Sequence, residues 1–219
     1  MDELIRTIAV YALPVIFAIT LHEAAHAYAA RYLGDSTAYM QGRMSMNPIK
    51  HIDPFGTIVI PILLYVATSG AFLFGYAKPV PVEYGNLRKP KRDMAWVALA
   101  GPVANFVMAL LWMIFAIVLA VAGVDEEFFQ RMAQAGVLTN LVMLAFNLFP
   151  IPPLDGGRVM TSLLPNRYAY KFAQIEPYGF FIVMALVLLK VLYFWMVPVM
   201  TAAHAVLKLM ILPLTFLLT

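Results

Sequence analysis

"AITLHEAAHAYAARYLGD", residues 18–35, sets His22, Glu23 and His26 inside a stretch that otherwise reads as a membrane-spanning helix. Residues 7–30 are long enough to cross roughly 30 Å of hydrocarbon, which takes about 20 apolar residues. Ionisable groups at that depth are costly, and where they occur they mark functional sites by default. On a helix, positions four apart lie on one face, so both imidazoles can reach one metal ion while Glu23 flanks it. With four histidines and six glutamates in 219 residues, the pattern H-E-x-x-H arises by chance only about 0.002 times per such chain. The competing explanation is a histidine pair satisfied by helix–helix hydrogen bonds, with Glu23 paired to an arginine. A shared metal accounts for all three groups at once.

The rest of the chain suits a membrane setting. Hydrophobic residues make up 63% and charged residues 12%, far from the balance of a soluble globular domain. The net charge of +3 is carried in short loops beside apolar runs, which fits anionic lipid and topology determination rather than nucleic acid. Cysteine is absent, which excludes disulfides, thiolate ligands and a cysteine nucleophile. The N-terminus, MDELIR, is acidic and lacks a small-residue cleavage site, so the first helix is expected to remain in the mature protein. Residues 1–219 are expected to form a single membrane-embedded domain, with no linker marking off a second.

The fold class expected is an all-α polytopic membrane protein of about six hydrophobic segments. After 7–30 come 55–74, interrupted by Pro61 and Ser69-Gly70; then 94–122, 132–154, and a stretch 178–218 long enough for two helices hinged near Pro198. Between the first two, Gln41, Arg43 and Ser45 alternate with Met40, Met44 and Met46, the period of a half-buried strand. A small membrane-associated β element is therefore expected over 40–46, able to hold an extended peptide. "AKPVPVEY", 77–84, reads as a second extended piece, because each proline biases its predecessor away from helical geometry.

A catalytic zinc site needs a third protein ligand and keeps its fourth position open. The choice is His51, His204 or a carboxylate, and the best candidate lies in "FNLFPIPPLDGGR", 146–158, where a charge-free helix breaks into prolines before Asp155. Irregular backbone at that depth is tolerated only where it lines a cavity or packs on protein. The alternative is that Asp155 ends a helix at the water interface, paired with Arg158. His204 reads as a packing histidine and His51 as an interfacial one.

The blocks "HEAAHAYAARYLGD", "GRMSMNPIKHIDPFGT", "FGYAKPVPV", "AGPVAN" and "FNLFPIPPLDGGR", in that order over about residues 15–160, resemble the site-2 protease family of intramembrane zinc metalloproteases, in its compact branch without a PDZ domain. The resemblance implies one catalytic zinc ion on His22, His26 and Asp155, with Glu23 as catalytic base. It also implies supporting polar roles for Asn147 and Asn105; for Asn105 plain interhelical hydrogen bonding is an equal alternative. The implied reaction is hydrolysis of peptide bonds in transmembrane substrate proteins within or near the membrane. A membrane zinc transporter or sensor, or an inactive scaffold, are the competing functions, and regulation is expected to come from membrane partners or prior trimming of the substrate.

Charge asymmetry sets an expected orientation. Asp125, Glu126 and Glu127 oppose one arginine in the 123–131 loop, whereas 156–177 carries Arg158, Arg167 and Lys171, so Asp155 is expected towards the cytoplasm. If the three ligands share a metal, the helices bearing them run parallel. Both flanks of 55–74 then fall on the cytoplasmic side, which makes that segment a re-entrant hairpin. The competing topology has six full spans and a cytoplasmic N-terminus.

Overall fold

A computed structural model describes residues 2–59, 63 and 78–218. Helix α1 runs Asp2–Leu33 and is followed by a single turn, α2, at Thr37–Met40. After a π-type turn at Pro54–Val59 and a 3-10 turn at Tyr84–Asn86 come α3 (Pro90–Val121) and α4 (Glu127–Asn147). The chain continues through α5 (Asp155–Leu163), α6 (Asn166–Ala173), α7 (Gly179–Leu188) and α8 (Val191–Leu218). Among the described residues there is no strand.

Four stretches are long and apolar enough to cross a membrane: Ile5–Leu33, Pro90–Val121, Asn166–Leu188 and Val191–Thr215. The third is broken by a 3-10 turn at Glu176–Tyr178. Helix α4, 21 residues or about 32 Å, has the length to span but carries Gln134, Thr139 and Asn140 in its middle. It lies among other helices, where its buried face is built from Ala133, Ala135, Gly136, Leu141 and Ala145.

Helices α1, α3 and α4 form the central packing unit. Their contact faces are rich in small residues, Ala18, Ala24, Ala27 and Ala30 on α1 among them, all at most 2% exposed. In lipid, where the hydrophobic effect does not drive helices together, such residues let backbones approach and gain dispersion contacts. Gly136 on α4 is one case: a β-carbon there would lie 2.2 Å from the Trp112 ring of α3. Outward-facing positions such as Ile16, Phe17, Val107, Leu111 and Val118 are apolar and exposed, as lipid contact requires.

The N-terminal ends of α1 and α4 share one cavity, lined by Glu3, Arg6, Arg131 and Gln134. At their other ends His22 and Asp155 meet. The two helices therefore run parallel, with α3 antiparallel between them, as a common metal site demands.

Two sequence expectations are corrected. Residues 40–46 are not a strand: Thr37–Met40 is helical, Gly42 turns at φ 64°, and the Ala38 carbonyl takes the amides of Arg43 and Met44. The methionine alternation misleads because Met40 and Met46 are exposed, 74% and 63%, rather than ranged along a buried face. Nor is there a hinge at Pro198. The break falls at Lys190, in the left-handed region at φ 59°, and α8 runs through Pro198. The hairpin expected over 55–74 falls almost wholly outside the described residues. The 78–83 segment, by contrast, is free of helix. It is tied to the loop before it by the Lys78 amide on the His51 carbonyl and by Arg43 on the Lys78 carbonyl.

Candidate metal centre

His22 and His26 face the bundle interior one turn apart on α1, 4% and 9% exposed. Asp155, 7% exposed, is the first residue of α5, where an ionised carboxylate is favoured by the helix dipole. The preceding turn is folded tightly onto that helix. A β-carbon on Gly156 would lie 2.2 Å from the Leu148 carbonyl oxygen, and one on Gly157 2.2 Å from the Pro152 nitrogen, so only glycine admits this approach. Asp155 thus begins a helix rather than ending one, and Arg158 turns elsewhere.

Three atoms converge. The two Nε2 atoms are 3.1 Å apart, and Asp155 Oδ2 lies 3.2 Å from that of His22 and 3.3 Å from that of His26. Each Nδ1 faces an oxygen: Asn105 Oδ1 at 2.6 Å for His22 and the Val97 carbonyl at 2.7 Å for His26. Both oxygens are acceptors, so each Nδ1 carries a hydrogen and each neutral imidazole aims its Nε2 lone pair at the others. Asp155 Oδ2 is buried with no hydrogen-bond donor. Three lone pairs this close repel unless a proton or a shared cation lies among them.

The surroundings fit a cation. Gly101 of α3 borders the cluster, and a β-carbon there would stand 2.4 Å from His26 Nε2 and 2.7 Å from His22 Nε2. His22, His26 and Asp155 are the one such cluster among the described residues, and two nitrogens plus one carboxylate oxygen are a donor set suited to catalytic zinc. His51 is elsewhere, buried with Nε2 on the Ser45 carbonyl at 2.7 Å. His204 lines a separate apolar groove with Met113, Leu141 and Met200.

Beside the triad is a cavity of about 120 Å³, lined among others by Glu23, Val80, Tyr84, Asn147 and Arg158. Glu23 Oε2 accepts the Val80 amide at 2.8 Å, which ties the 78–83 segment to α1. Asn147 gives one amide hydrogen to the Met143 carbonyl at 2.9 Å and has a second to spend. Sequence reading missed two of these residues as a pair. Arg158 Nη1 donates to Tyr84 Oη at 2.7 Å and Nη2 reaches Glu176 at 3.3 Å. Burial pushes the Tyr84 hydroxyl above its ordinary range despite the neighbouring guanidinium. Burial works against the Arg158 charge, but Tyr84, Glu176 and Asp155 outweigh it and raise its pKa.

Tyr84 is positioned from below by Asp35. This carboxylate, 1% exposed, accepts from the Thr37 amide, the Glu83 amide at 2.8 Å and Asn86 Nδ2 at 3.1 Å. It pins the 83–86 turn to the end of α1.

Apolar helices enclosing a His, His, carboxylate triad with an adjacent glutamate define a membrane-embedded metal-site protein. The chain belongs to peptidase family M50, whose model matches residues 10–136 and 122–190. It is 39% identical over 181 residues to "Putative zinc metalloprotease YwhC" of Bacillus subtilis, covering 78% of this chain and 77% of that protein. To "Putative zinc metalloprotease Rip2" of Mycolicibacterium smegmatis it is 30% identical over 183 residues, 82% of this chain and 67% of that one. It is also similar to "Stage IV sporulation protein FB" of B. subtilis, 28% identical over 143 residues, 65% of this chain and 46% of that protein. No solved structure matches the chain significantly.

Proposed function

We propose that this membrane-embedded zinc metalloprotease holds its ion on His22, His26 and Asp155 and uses Glu23 as general base to hydrolyse peptide bonds of transmembrane proteins. The observation that carries the reading is the convergence of three donor atoms, each within 3.3 Å of the others, on a glycine-lined face. When bound, zinc supplies Lewis acidity towards the scissile carbonyl and lowers the pKa of a water molecule towards neutrality. Glu23 takes the proton of the attacking water and returns it to the leaving amine nitrogen. The free amide hydrogen of Asn147 donates to the developing oxyanion, where a fixed dipole shielded from water is worth more than in solution. Family membership does not favour a zinc transporter, a sensor or a silent scaffold.

The finer topology belongs to the same proposal. Residues 1–219 act as one membrane domain with the site towards the cytoplasm, supported by the basic residues Arg88, Lys89, Lys91 and Arg92 before α3 and the acidic 125–127 after it. The 55–74 segment is a re-entrant hairpin with both flanks on that side. Membrane lipid and transmembrane substrates are the partners, and regulation comes from further membrane proteins.

Glu23→Gln tests the chemistry. It keeps the shape of the side chain and leaves all three ligands, so zinc content measured by atomic absorption stays at the wild-type level. Cleavage of a transmembrane substrate in detergent falls at least about 1,000-fold. Turnover within tenfold of wild type would remove Glu23 from the mechanism.

A further inference from the structure

Asn105 and Asn140 are both 0% exposed in the middle of a membrane bundle, where a buried side-chain amide is costly unless all its groups are paired. Their pairing runs in one direction. Asn140 Nδ2, on α4, donates to the Gly136 carbonyl at 2.8 Å, which turns its Oδ1 towards α3. There Asn140 Oδ1 accepts from Asn105 Nδ2 at 3.0 Å, and the Ala18 carbonyl of α1 accepts from the same nitrogen at 3.2 Å. The two hydrogens of Asn105 Nδ2 are thereby used, and its Oδ1 is left for His22 Nδ1 at 2.6 Å.

We propose that Asn105 and Asn140 are positioning residues that together set the tautomer of His22, and so make its Nε2 a metal-binding lone pair. His26 needs no such device, because it pairs with the Val97 backbone carbonyl, whose polarity is fixed. A side-chain amide can rotate by half a turn. A rotated Asn105 would offer hydrogens to His22 Nδ1, move the imidazole hydrogen to Nε2 and block the site. Asn140 opposes that rotation from a third helix, because a rotated Asn105 would set two carbonyl oxygens against each other. The fixed end of the chain is the Gly136 carbonyl, a main-chain group of α4. Partners in this outer shell typically change metal affinity by about 10- to 100-fold.

This inference rests on the zinc reading of the site, and the two fail separately. Zinc retained at wild-type affinity in His22→Ala sinks that reading. The relay is tested by zinc affinity in chelator competition and by the visible spectrum of the cobalt-substituted protein, both in detergent. Asn105→Leu is expected to lose about 100-fold in affinity and Asn140→Leu about tenfold, with shifted cobalt bands. Asn140→Asp, protonated at that depth, can donate to the Gly136 carbonyl and accept from Asn105, and is expected within about threefold of wild type with an unaltered spectrum. A purely packing role for Asn140 would leave Asn140→Leu, close in volume, with normal affinity and bands. That result, or an Asn140→Asp protein as impaired as Asn140→Leu, overturns the proposal. Nitrogen NMR of the histidine-labelled, zinc-free wild type decides independently of whether the variants fold. His22 is expected to carry its hydrogen on Nδ1, and a neutral Nε2–H form would overturn the relay.

Discussion

Gly101 has no side chain to set between the two imidazoles, and its position on α3 makes that a requirement of the metal centre rather than of helix packing alone. A methyl group there meets a His26 nitrogen at 2.4 Å, and the rings cannot withdraw because their Nδ1 atoms are held on the same helix. Gly101→Ala improves helix propensity by about 1 kcal/mol, so a folded variant is expected, with zinc affinity down at least about 100-fold. Chelator competition measures it, and affinity near wild type would show that the rings can move. Tyr84 asks for a different test. Its oxygen already accepts from Arg158, so its own hydrogen is free to point into the cavity beside Glu23. Tyr84→Phe is expected to lower kcat by about 10- to 100-fold with zinc content unchanged, as loss of one transition-state donor does.

At the level of elements, the short connection after α1 carries more than its length suggests. Burial raises the Asp35 carboxyl pKa, but hydrogen bonds from Thr37, Asn86 and Glu83 more than offset that and hold it below the ordinary carboxylate range. A group whose folded pKa is depressed contributes stability that is present above its unfolded pKa and lost as pH falls through the folded value. Thermal melts in detergent are therefore expected to lose stability on acidification below about pH 4, with a shallower acid limb in Asp35→Asn. At neutral pH that variant is expected to be less stable by about 1–3 kcal/mol. The same elements show what the sequence could and could not reveal. The spacing of His22, Glu23 and His26, and the proline-glycine run around Asp155, are local signals that a helical period and backbone sterics turn into geometry. Asn140, Tyr84 and Arg158 carry no such signal, because each matters through a partner 35 to 74 residues away. The 40–46 alternation failed for the converse reason: a period of two was present, but neither end of it faces a core.

For the whole molecule, the absence of cysteine offers a clean background for reading orientation. Single cysteines placed at Lys89 and Glu126 are expected to react with a membrane-impermeant maleimide only after permeabilisation and in intact cells, respectively; the reverse pattern would invert the topology. Metal removal tests the centre as a structural element. Zinc that binds only the folded state adds about 4 kcal/mol at a thousandfold excess over its Kd, so stripping it should lower Tm measurably, and re-addition should restore it. That contribution has an unusual form. Val97, Gly101 and Asn105 lie four residues apart along one stripe of α3, opposite His26 and His22 in reverse order. Apolar side chains in lipid are nearly interchangeable, and a slip of α3 by one turn would exchange methyls for methyls elsewhere in the bundle. At this stripe the same slip of about 5.4 Å would bring Gly101 to where Asn105 stood and leave His22 with nothing to hold its ring. The metal centre is thus also the vernier of the bundle, the one scale on which a helix displaced by a single turn no longer reads true.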